Sequence, residues 1–127
     1  MKIIFVYPQW TGKLGLISGY FARKAGGIIP PLNLGLLAAI ARKGGHDCSI
    51  IDAEIDRINE DDLVTKVAEE NPDLVALTGM SPFFHLSKSF ATSLKKLNSN
   101  LKILLGGQHF TIQGDKAFHK CFDYAYT

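Results

Sequence analysis

Short apolar segments, several of them rich in β-branched residues, recur along this chain and restrict its fold more than any other feature. They lie at Lys2–Tyr7, Cys48–Asp52, Asp73–Gly79, Lys102–Gly107 and Phe122–Tyr126. Each segment has the length of a strand, and its nearly continuous apolar character is typical of strands that are buried on both faces. The chain is therefore expected to form a sheet that is covered on both sides.

Helical patterns separate these predicted strands. They cover residues 33–45, 59–72, 85–100 and, more weakly, 111–120. Asn59 is a predicted N-cap, Pro72 a predicted stop, and Gly44 and Gly45 mark the end of the first pattern. Strand and helix alternate and the series ends on a fifth strand. This order predicts an α/β fold, a Rossmann-like or flavodoxin-like open parallel five-stranded sheet with helices on both faces.

One segment, from Gln9 to Pro31, has no clear hydrophobic periodicity. It contains glycines at positions 12, 15, 19, 26 and 27 and ends in a Pro-Pro pair. It is longer than the usual connection between a strand and a helix, and such long segments often carry function. We expect it to be irregular, and mobile when no ligand is bound.

Composition limits the kind of protein and the kind of partner. The 127 residues, 46% of them hydrophobic, suit one globular domain over positions 1–127. A net charge of +2 from 14 basic and 12 acidic residues argues for neither nucleic acid nor a membrane surface as partner. Two distant cysteines form no CxxC pair, and the first apolar run is too short for a signal peptide. We therefore expect a cytoplasmic protein with reduced thiols.

Ligands of open parallel sheets bind beyond the carboxyl ends of the strands, so the residues at these ends decide between functions. After the first strand there is no GxGxxG, and "TGKLG" lacks the spacing of a phosphate-binding P-loop. The acidic cluster of a phosphoacceptor domain is missing, as are paired carboxylates for acid and base catalysis. The sequence thus predicts neither catalytic residues nor metal ligands.

Four sequence motifs resemble the amino-terminal cobalamin-binding domain of B12-dependent radical SAM proteins. They are "KIIFVYP", "PPLNLGLLAAIARKGGHDCSIIDA", "NPDLVALTGMSP" and "KILLGGQHF", in the order and spacing of that family and across almost the whole chain. Glycine pairs after a strand are common, but four motifs in order are far more specific. The resemblance implies a cobalamin-binding domain.

The resemblance also implies where cobalamin binds. In that family the nucleotide tail enters the sheet region, and the ends of the third and fourth strands line its channel. The cofactor-binding residues implied here are Gln9, Trp10, Asp52, Thr78, Gly79, Ser81, Gly106, Gly107, Gln108 and His109. Gly106 and Gly107 would let the backbone approach the tail, because they have no Cβ. The alternatives are a tight turn without a ligand at these glycines, a surface or capping role for His109, and a Trp10 packed under its own loop.

The segment after the first strand departs from a pattern of the wider cobalamin family. Domains that ligate cobalt carry Asp-x-His-x-x-Gly there, whereas Tyr7, Gln9 and Gly12 stand at the three positions here. A glutamine amide is a poor cobalt ligand beside imidazole, so we expect no histidine of this motif on cobalt. The resemblance then implies that the cofactor's own base lies in the tail channel.

The same family carries its chemistry on a carboxyl-terminal domain with a 4Fe-4S cluster and S-adenosylmethionine. Cys48 and Cys121 alone cannot supply the CxxxCxxC motif of that cluster. The resemblance therefore implies that this chain is the front part of a longer radical SAM enzyme, non-catalytic by itself, with the radical SAM domain as its partner. Two alternatives stay open at this point: a cofactor-free interaction module, or a Rossmann-like domain that binds another nucleotide.

Overall fold

The computed structural model describes residues 1–26 and 30–127, and its centre is a five-stranded parallel sheet. The strands are β1 (Lys2–Tyr7), β2 (Asp47–Asp52), β3 (Leu74–Thr78), β4 (Lys102–Gly106) and β5 (Tyr124–Ala125). Their order across the sheet is β2-β1-β3-β4-β5, and every neighbouring pair is parallel. The predicted open parallel sheet is confirmed. The structure differs from the prediction only in the bounds of some strands, most of all in β5, the short strand at the edge of the sheet.

Five α-helices accompany the sheet within the described residues. They are α1 (Leu16–Gly26), α2 (Leu32–Lys43), α3 (Glu60–Glu69), α4 (Phe84–Leu97) and α5 (Gln108–Gln113). The predicted cap of α3 is confirmed, since the Asn59 side chain accepts a hydrogen bond from the Asp62 N–H at 2.9 Å. Gly45, with φ of +85°, follows the end of α2 as predicted. None of these helices is long and apolar enough to cross a membrane.

Alternate residues of β1 point into two different cores. Ile4 and Val6 pack with residues of α3 and α4, whereas Ile3 and Phe5 pack with Leu34 and other residues of α2. This alternation follows from the two-residue period of a strand. We call the side covered by α3 and α4 the closed face of the sheet, and the side that carries α2 the open face.

Helix α1 corrects the expectation that Gln9 to Pro31 is irregular. A short 3-10 turn at Thr11–Leu14 precedes α1, and α1 itself runs over eleven residues. The helix packs closely against the preceding turn, because a Cβ on Gly19 would lie 2.6 Å from the Thr11 carbonyl oxygen, and Arg23 of the helix pairs with the distant Glu54. The hydrophobic periodicity of this segment does not predict a helix, because Leu16 and its apolar neighbours on α1 form no buried face and are largely exposed. Positions 27–29 lie outside the described residues, and the mobility of the segment stays a prediction.

The last helix begins earlier in the chain than the weak pattern at 111–120 predicts. Helix α5 begins at Gln108, directly after Gly107, and a 3-10 turn at Gly114–Ala117 follows it. Gly107 has a φ of +102°, which allows the abrupt change from strand to helix. The result is that Gln108 and His109 stand at the helix start, at the carboxyl edge of the sheet.

Candidate functional site: two adjacent cavities

The first cavity lies above the carboxyl ends of β1 and β3, and we call it the edge cavity. Its volume is about 580 Å³. It is lined by Tyr7, Trp10, Gly26, Pro30, Pro31, Leu32, Asn33, Glu54, Thr78, Met80, Gly107 and Gln108. The parallel register brings these strand ends together, since Val6, next to Tyr7, pairs with Leu77, next to Thr78. This is the position at which open parallel sheets bind ligands.

The second cavity is a long apolar depression on the open face of the sheet, which we call the sheet-face groove. Its volume is about 560 Å³. The floor is formed by side chains of β1, β3 and β4, including Phe5, Ala76 and Leu104, and one wall is α2 with Leu37 and Ile40. The groove is overwhelmingly apolar, so it suits a flat organic group better than a charged one.

The two cavities meet at three residues. Asn33, Thr78 and Gly107 line both of them. Asn33 lies in the first turn of α2, Thr78 ends β3 and Gly107 follows β4, so three separate elements form the junction. The edge cavity and the sheet-face groove are therefore adjacent, with Asn33, Thr78 and Gly107 between them.

The two adjacent glycines have different roles. A Cβ on Gly107 would lie 2.8 Å from both the backbone nitrogen and oxygen of Gly79 and 2.9 Å from Thr78 Oγ1, so packing within the protein already requires glycine there. A Cβ on Gly106 would meet only two carbonyl oxygens, those of Leu77 and Tyr126, at 3.9 Å. Gly106 faces the groove without such packing. The alternative of a tight turn thus accounts for Gly107, while Gly106 keeps the groove open.

Aromatic side chains at the end of β1 form one wall of the edge cavity. The Trp10 ring stacks on Phe83 with centroids 4.9 Å apart. Burial raises the pKa of the Tyr7 phenol, and the nearby carboxylates of Asp52 and Glu54 raise it further. Tyr7 therefore keeps its proton over the whole physiological range and can donate a hydrogen bond into the cavity.

Glu54 lies two residues after the second predicted strand and is not among the residues predicted from the sequence. Its carboxylate is buried and accepts hydrogen bonds from the backbone N–H groups of Trp10 and Thr11, at 2.9 and 3.1 Å, and from the Thr11 hydroxyl. Arg23 of α1 lies 2.9 Å from it. No local pattern reveals this contact, because 31 residues separate Arg23 from Glu54.

Gln9 lies away from the edge cavity. Its side chain folds back onto Gly12, where a Cβ would be 2.6 Å from Gln9 Oε1. It lines a separate small cavity together with Leu63 and Phe90, on the side of α3 and α4. Of the predicted pair after β1, Trp10 thus faces the edge cavity and Gln9 does not.

Ser81 and His109 contact each other. His109 Nδ1 lies 3.1 Å from Ser81 Oγ, and the imidazole stacks on Phe84 with centroids 4.1 Å apart. The His109 backbone N–H donates to the Gly79 carbonyl oxygen at 3.0 Å. These contacts fasten the start of α5 to the segment after β3, at the side of the edge cavity.

Asp52 and Gly79 also have contacts within the protein. Asp52 Oδ1 accepts hydrogen bonds from the backbone N–H groups of Glu54 and Ile55, each at 3.1 Å, and so shapes the turn after β2. The Gly79 N–H donates to the Gly106 carbonyl oxygen at 2.8 Å. The structure thus brings Trp10, Thr78, Gly106, Gly107 and Gln108 to the two cavities. Gln9, Asp52, Gly79, Ser81 and His109 lie outside the linings of both.

Residues beyond the predicted set complete the lining. Met80 lies between two predicted residues, and Asn33 directly follows the "PPL" motif, so a search of whole motifs would have included both. Among residues 1–26 and 30–127, no group of three or more histidine, cysteine or acidic side chains is arranged to hold a metal ion. The lining of the two cavities is mostly apolar, with a few amide, hydroxyl and phenol groups and the Glu54 carboxylate.

Comparison with known proteins places this fold in a class. A crystal structure of a cobalamin-binding protein from Desulfitobacterium hafniense aligns with 99% of this chain and 52% of its own, with a TM-score of 0.70 and 18% identity. At that identity the likeness concerns the fold. The model of the family "B12 binding domain" matches residues 20–126 of this chain.

The chain therefore belongs to the B12-binding domain family, and it is a cobalamin-binding domain. Among curated proteins it is 27% identical to an uncharacterized methyltransferase of Pyrococcus horikoshii over 95% of this chain. It is 26% and 29% identical to anaerobic magnesium-protoporphyrin IX monomethyl ester cyclases of Rubrivivax gelatinosus and Cereibacter sphaeroides, over 87% of this chain in each case. It spans 25%, 19% and 17% of the lengths of these three relatives.

Proposed function

We propose that this domain holds cobalamin with the corrin ring at the edge cavity and the nucleotide tail in the sheet-face groove. The observation that carries the proposal is that the two cavities are adjacent and share Asn33, Thr78 and Gly107 in their linings. Cobalamin consists of a macrocycle and a nucleotide arm, and two adjacent cavities, one at the strand ends and one on the sheet face, could take these two parts.

The chemistry of the lining fits this orientation. The apolar groove suits an aromatic base, and the absence of a side chain at Gly106 leaves room beside β4. The Thr78 hydroxyl and the Asn33 amide stand at the junction, where ribose and phosphate groups of a tail need hydrogen-bond partners. Tyr7 and Gln108 offer donors at the edge cavity, where the amide arms of a corrin ring would lie.

Most of the remaining predicted residues lie outside the two cavities and hold the segments that line them. Ser81 and His109 hold the start of α5, and Asp52 holds the turn that carries Glu54. Gln9 lines a different cavity. Any contact between the end of β1 and the lower face of the corrin ring would therefore be made by Tyr7 or Trp10. A protein histidine from the Asp-x-His-x-x-Gly position is not required for this arrangement.

The proposed role within a longer protein is to position B12 for a radical SAM domain, for example in methyl transfer. Two observations support it: the motif order in the sequence, and the small share of each curated relative that the chain spans. When bound, cobalamin supplies a cobalt that can carry a methyl group or assist radical chemistry. The 4Fe-4S cluster and S-adenosylmethionine would be held by that second domain.

A titration with hydroxocobalamin tests the binding mode. The purified domain is expected to keep the corrin absorption after gel filtration, and the Gly106→Val variant is expected to lose it while still unfolding cooperatively. Calorimetry with ATP and NAD⁺ serves as the comparison, and neither is expected to bind. Retention of ATP or NAD⁺ with no retention of hydroxocobalamin would refute the proposal and favour a domain for another nucleotide.

The role in a radical SAM protein needs a separate test on the full-length protein. Iron and sulfide analysis after anaerobic purification is expected to give a 4Fe-4S cluster. Replacing the first cysteine of a CxxxCxxC motif with alanine should remove the cluster and leave the corrin spectrum unchanged. A full-length protein without such a motif would contradict the proposed partner and leave the cobalamin site intact.

A further inference from the structure

A buried ion pair organises the end of β1, and the binding mode described above assigns it no role. Glu54 Oε2 accepts hydrogen bonds from the Trp10 and Thr11 backbone N–H groups, and Glu54 Oε1 lies 2.9 Å from Arg23 Nη1. The same Arg23 nitrogen donates to the Glu54 carbonyl oxygen at 2.8 Å. The Glu54 and Arg23 side chains are only 7% and 17% exposed.

This arrangement joins three parts of the chain that are distant in sequence. Glu54 follows β2, Trp10 and Thr11 follow β1, and Arg23 lies in the second half of α1. Breaking a buried ion pair by removing one partner is costly, because the other charge loses its compensation. The carboxylate therefore fixes the path of the segment after β1 and, through Arg23, docks α1 beside the edge cavity.

We propose that Glu54 and Arg23 are positioning residues for cobalamin: they hold the Trp10 ring in the wall of the edge cavity. The inference rests on the proposed cobalamin orientation. Trp10 itself lines the cavity and stacks on Phe83. The Trp10 backbone N–H donates a hydrogen bond to Glu54 at 2.9 Å, and through this bond the ion pair holds the ring in position.

Glutamine at position 54 cannot replace the glutamate. The carboxylate accepts from two backbone N–H groups, one hydroxyl and one guanidinium, which are all donors. A glutamine side chain keeps one oxygen but directs an NH₂ donor at some of the same groups. At least one hydrogen bond to Trp10, Thr11 or Arg23 must then be lost.

Trp10 is the only tryptophan of the chain, so tryptophan fluorescence reports only on the wall of the edge cavity that Trp10 forms. The experiment compares wild type, Glu54→Gln, Arg23→Met and the control Glu69→Gln, which changes an exposed acid of α3. Each protein is measured without ligand and then titrated with hydroxocobalamin, whose corrin quenches a nearby indole. Thermal unfolding shows which variants remain folded.

For Glu54→Gln we expect red-shifted Trp10 emission without ligand, an affinity for hydroxocobalamin about tenfold lower, and weaker quenching at saturation. Arg23→Met should show a smaller change of the same kind, and Arg23→Lys should restore part of it. Glu69→Gln should match wild type. Quenching at saturation depends on the geometry of the bound complex, so a general loss of stability does not reproduce it.

Wild-type emission, affinity and quenching in folded Glu54→Gln would overturn the inference. If Glu54→Gln does not fold, Thr11→Val provides the test, since it removes the hydroxyl that donates to Glu54 and accepts from Arg23 at 3.5 Å, and it should give a smaller shift in the same direction. If wild type binds no hydroxocobalamin, the proposed function fails. The emission of the ligand-free variants then still decides whether Glu54 fixes Trp10.

Discussion

The two faces of the sheet are built differently. On the closed face, α3 and α4 cover the strands, and large side chains such as Phe90, Leu94 and Ile103 are completely buried. On the open face, α2 covers β1 and β2, while Leu37 and Ile40 remain exposed along the groove beside β3 and β4. The difference indicates that the closed face supplies most of the stability, whereas the open face carries an apolar groove, which is the proposed site of the nucleotide tail.

The largest effect is expected on the closed face. Phe90→Ala removes a ring from the centre of that core and should lower the free energy of unfolding by about 3–5 kcal/mol. Denaturant unfolding measures this, and Leu97→Ala at the exposed end of the same helix is the control, with little change. A loss below about 1 kcal/mol in Phe90→Ala would contradict the division of the two faces.

A substitution in the groove should separate binding from stability. Gly106→Val places a branched side chain in the sheet-face groove, where packing leaves room for a Cβ. We expect hydroxocobalamin affinity to fall by at least about tenfold, with cooperative unfolding retained. Gly35→Val on α2, where a Cβ meets nothing within 4 Å, is the matched control. Unchanged affinity in folded Gly106→Val would remove the groove from the binding site.

Gly107→Val is a poorer test than Gly106→Val. Gly107 has a positive φ, and a side chain there would collide with the backbone of Gly79. Loss of binding in that variant could follow from strain alone, so the two effects would not be separated.

The edge strand gives a smaller, pH-dependent effect. Asp123, next to β5, accepts from the Ile103 N–H at 2.8 Å and pairs with Lys95 at 2.7 Å. Burial alone would raise the pKa of Asp123, but the hydrogen bonds from Lys95 and Ile103 and the Lys95 and Lys102 charges outweigh it and hold the pKa below its usual value. Asp123→Asn should therefore cost about 1 kcal/mol at neutral pH.

The sign of the pH effect follows from the lowered pKa. A carboxyl with a depressed folded pKa stabilises the protein above its unfolded pKa of about 3.9 and loses that contribution as pH falls through the folded value. The difference between wild type and Asp123→Asn should thus be constant near neutral pH and shrink below about pH 4. Urea unfolding at several pH values measures it, and a difference that grows toward acid would contradict the assignment.

The smallest effect, no change in the ligation of cobalt, is expected for Gln9→His, although Gln9 stands where other cobalamin domains carry a cobalt-ligating histidine. The side chain at position 9 lies in the small cavity toward α3 and α4, away from the edge cavity. Electron paramagnetic resonance of the cob(II)alamin form should therefore show no axial nitrogen from the new imidazole. Tyr7→His, at a position that lines the edge cavity, is the matched variant. An axial nitrogen in Gln9→His would show that Gln9 reaches the corrin.

Several features were predictable because local sequence specifies them. The five strands are continuous apolar runs, Asn59 caps α3 and glycines end α2, and the alternation of strands and helices fixes a parallel sheet. The glycine pair and Thr78 were placed at strand ends, and parallel strands bring those ends to one edge. Trp10 and Gln108 were likewise placed at that edge by their position in the chain.

The sequence alone determined the class of fold, the edge of the sheet at which the candidate site lies, and the resemblance to cobalamin-binding domains. Tertiary structure decided which side chains share a cavity. Ser81 pairs with His109, Gln9 folds onto Gly12, and Arg23 reaches Glu54 across 31 residues. Helix α1 was invisible to periodicity because distant contacts hold it while its apolar side chains stay exposed. The physical reason is that strands and caps depend on neighbouring residues, whereas side-chain direction and ion pairing depend on groups that only folding brings together.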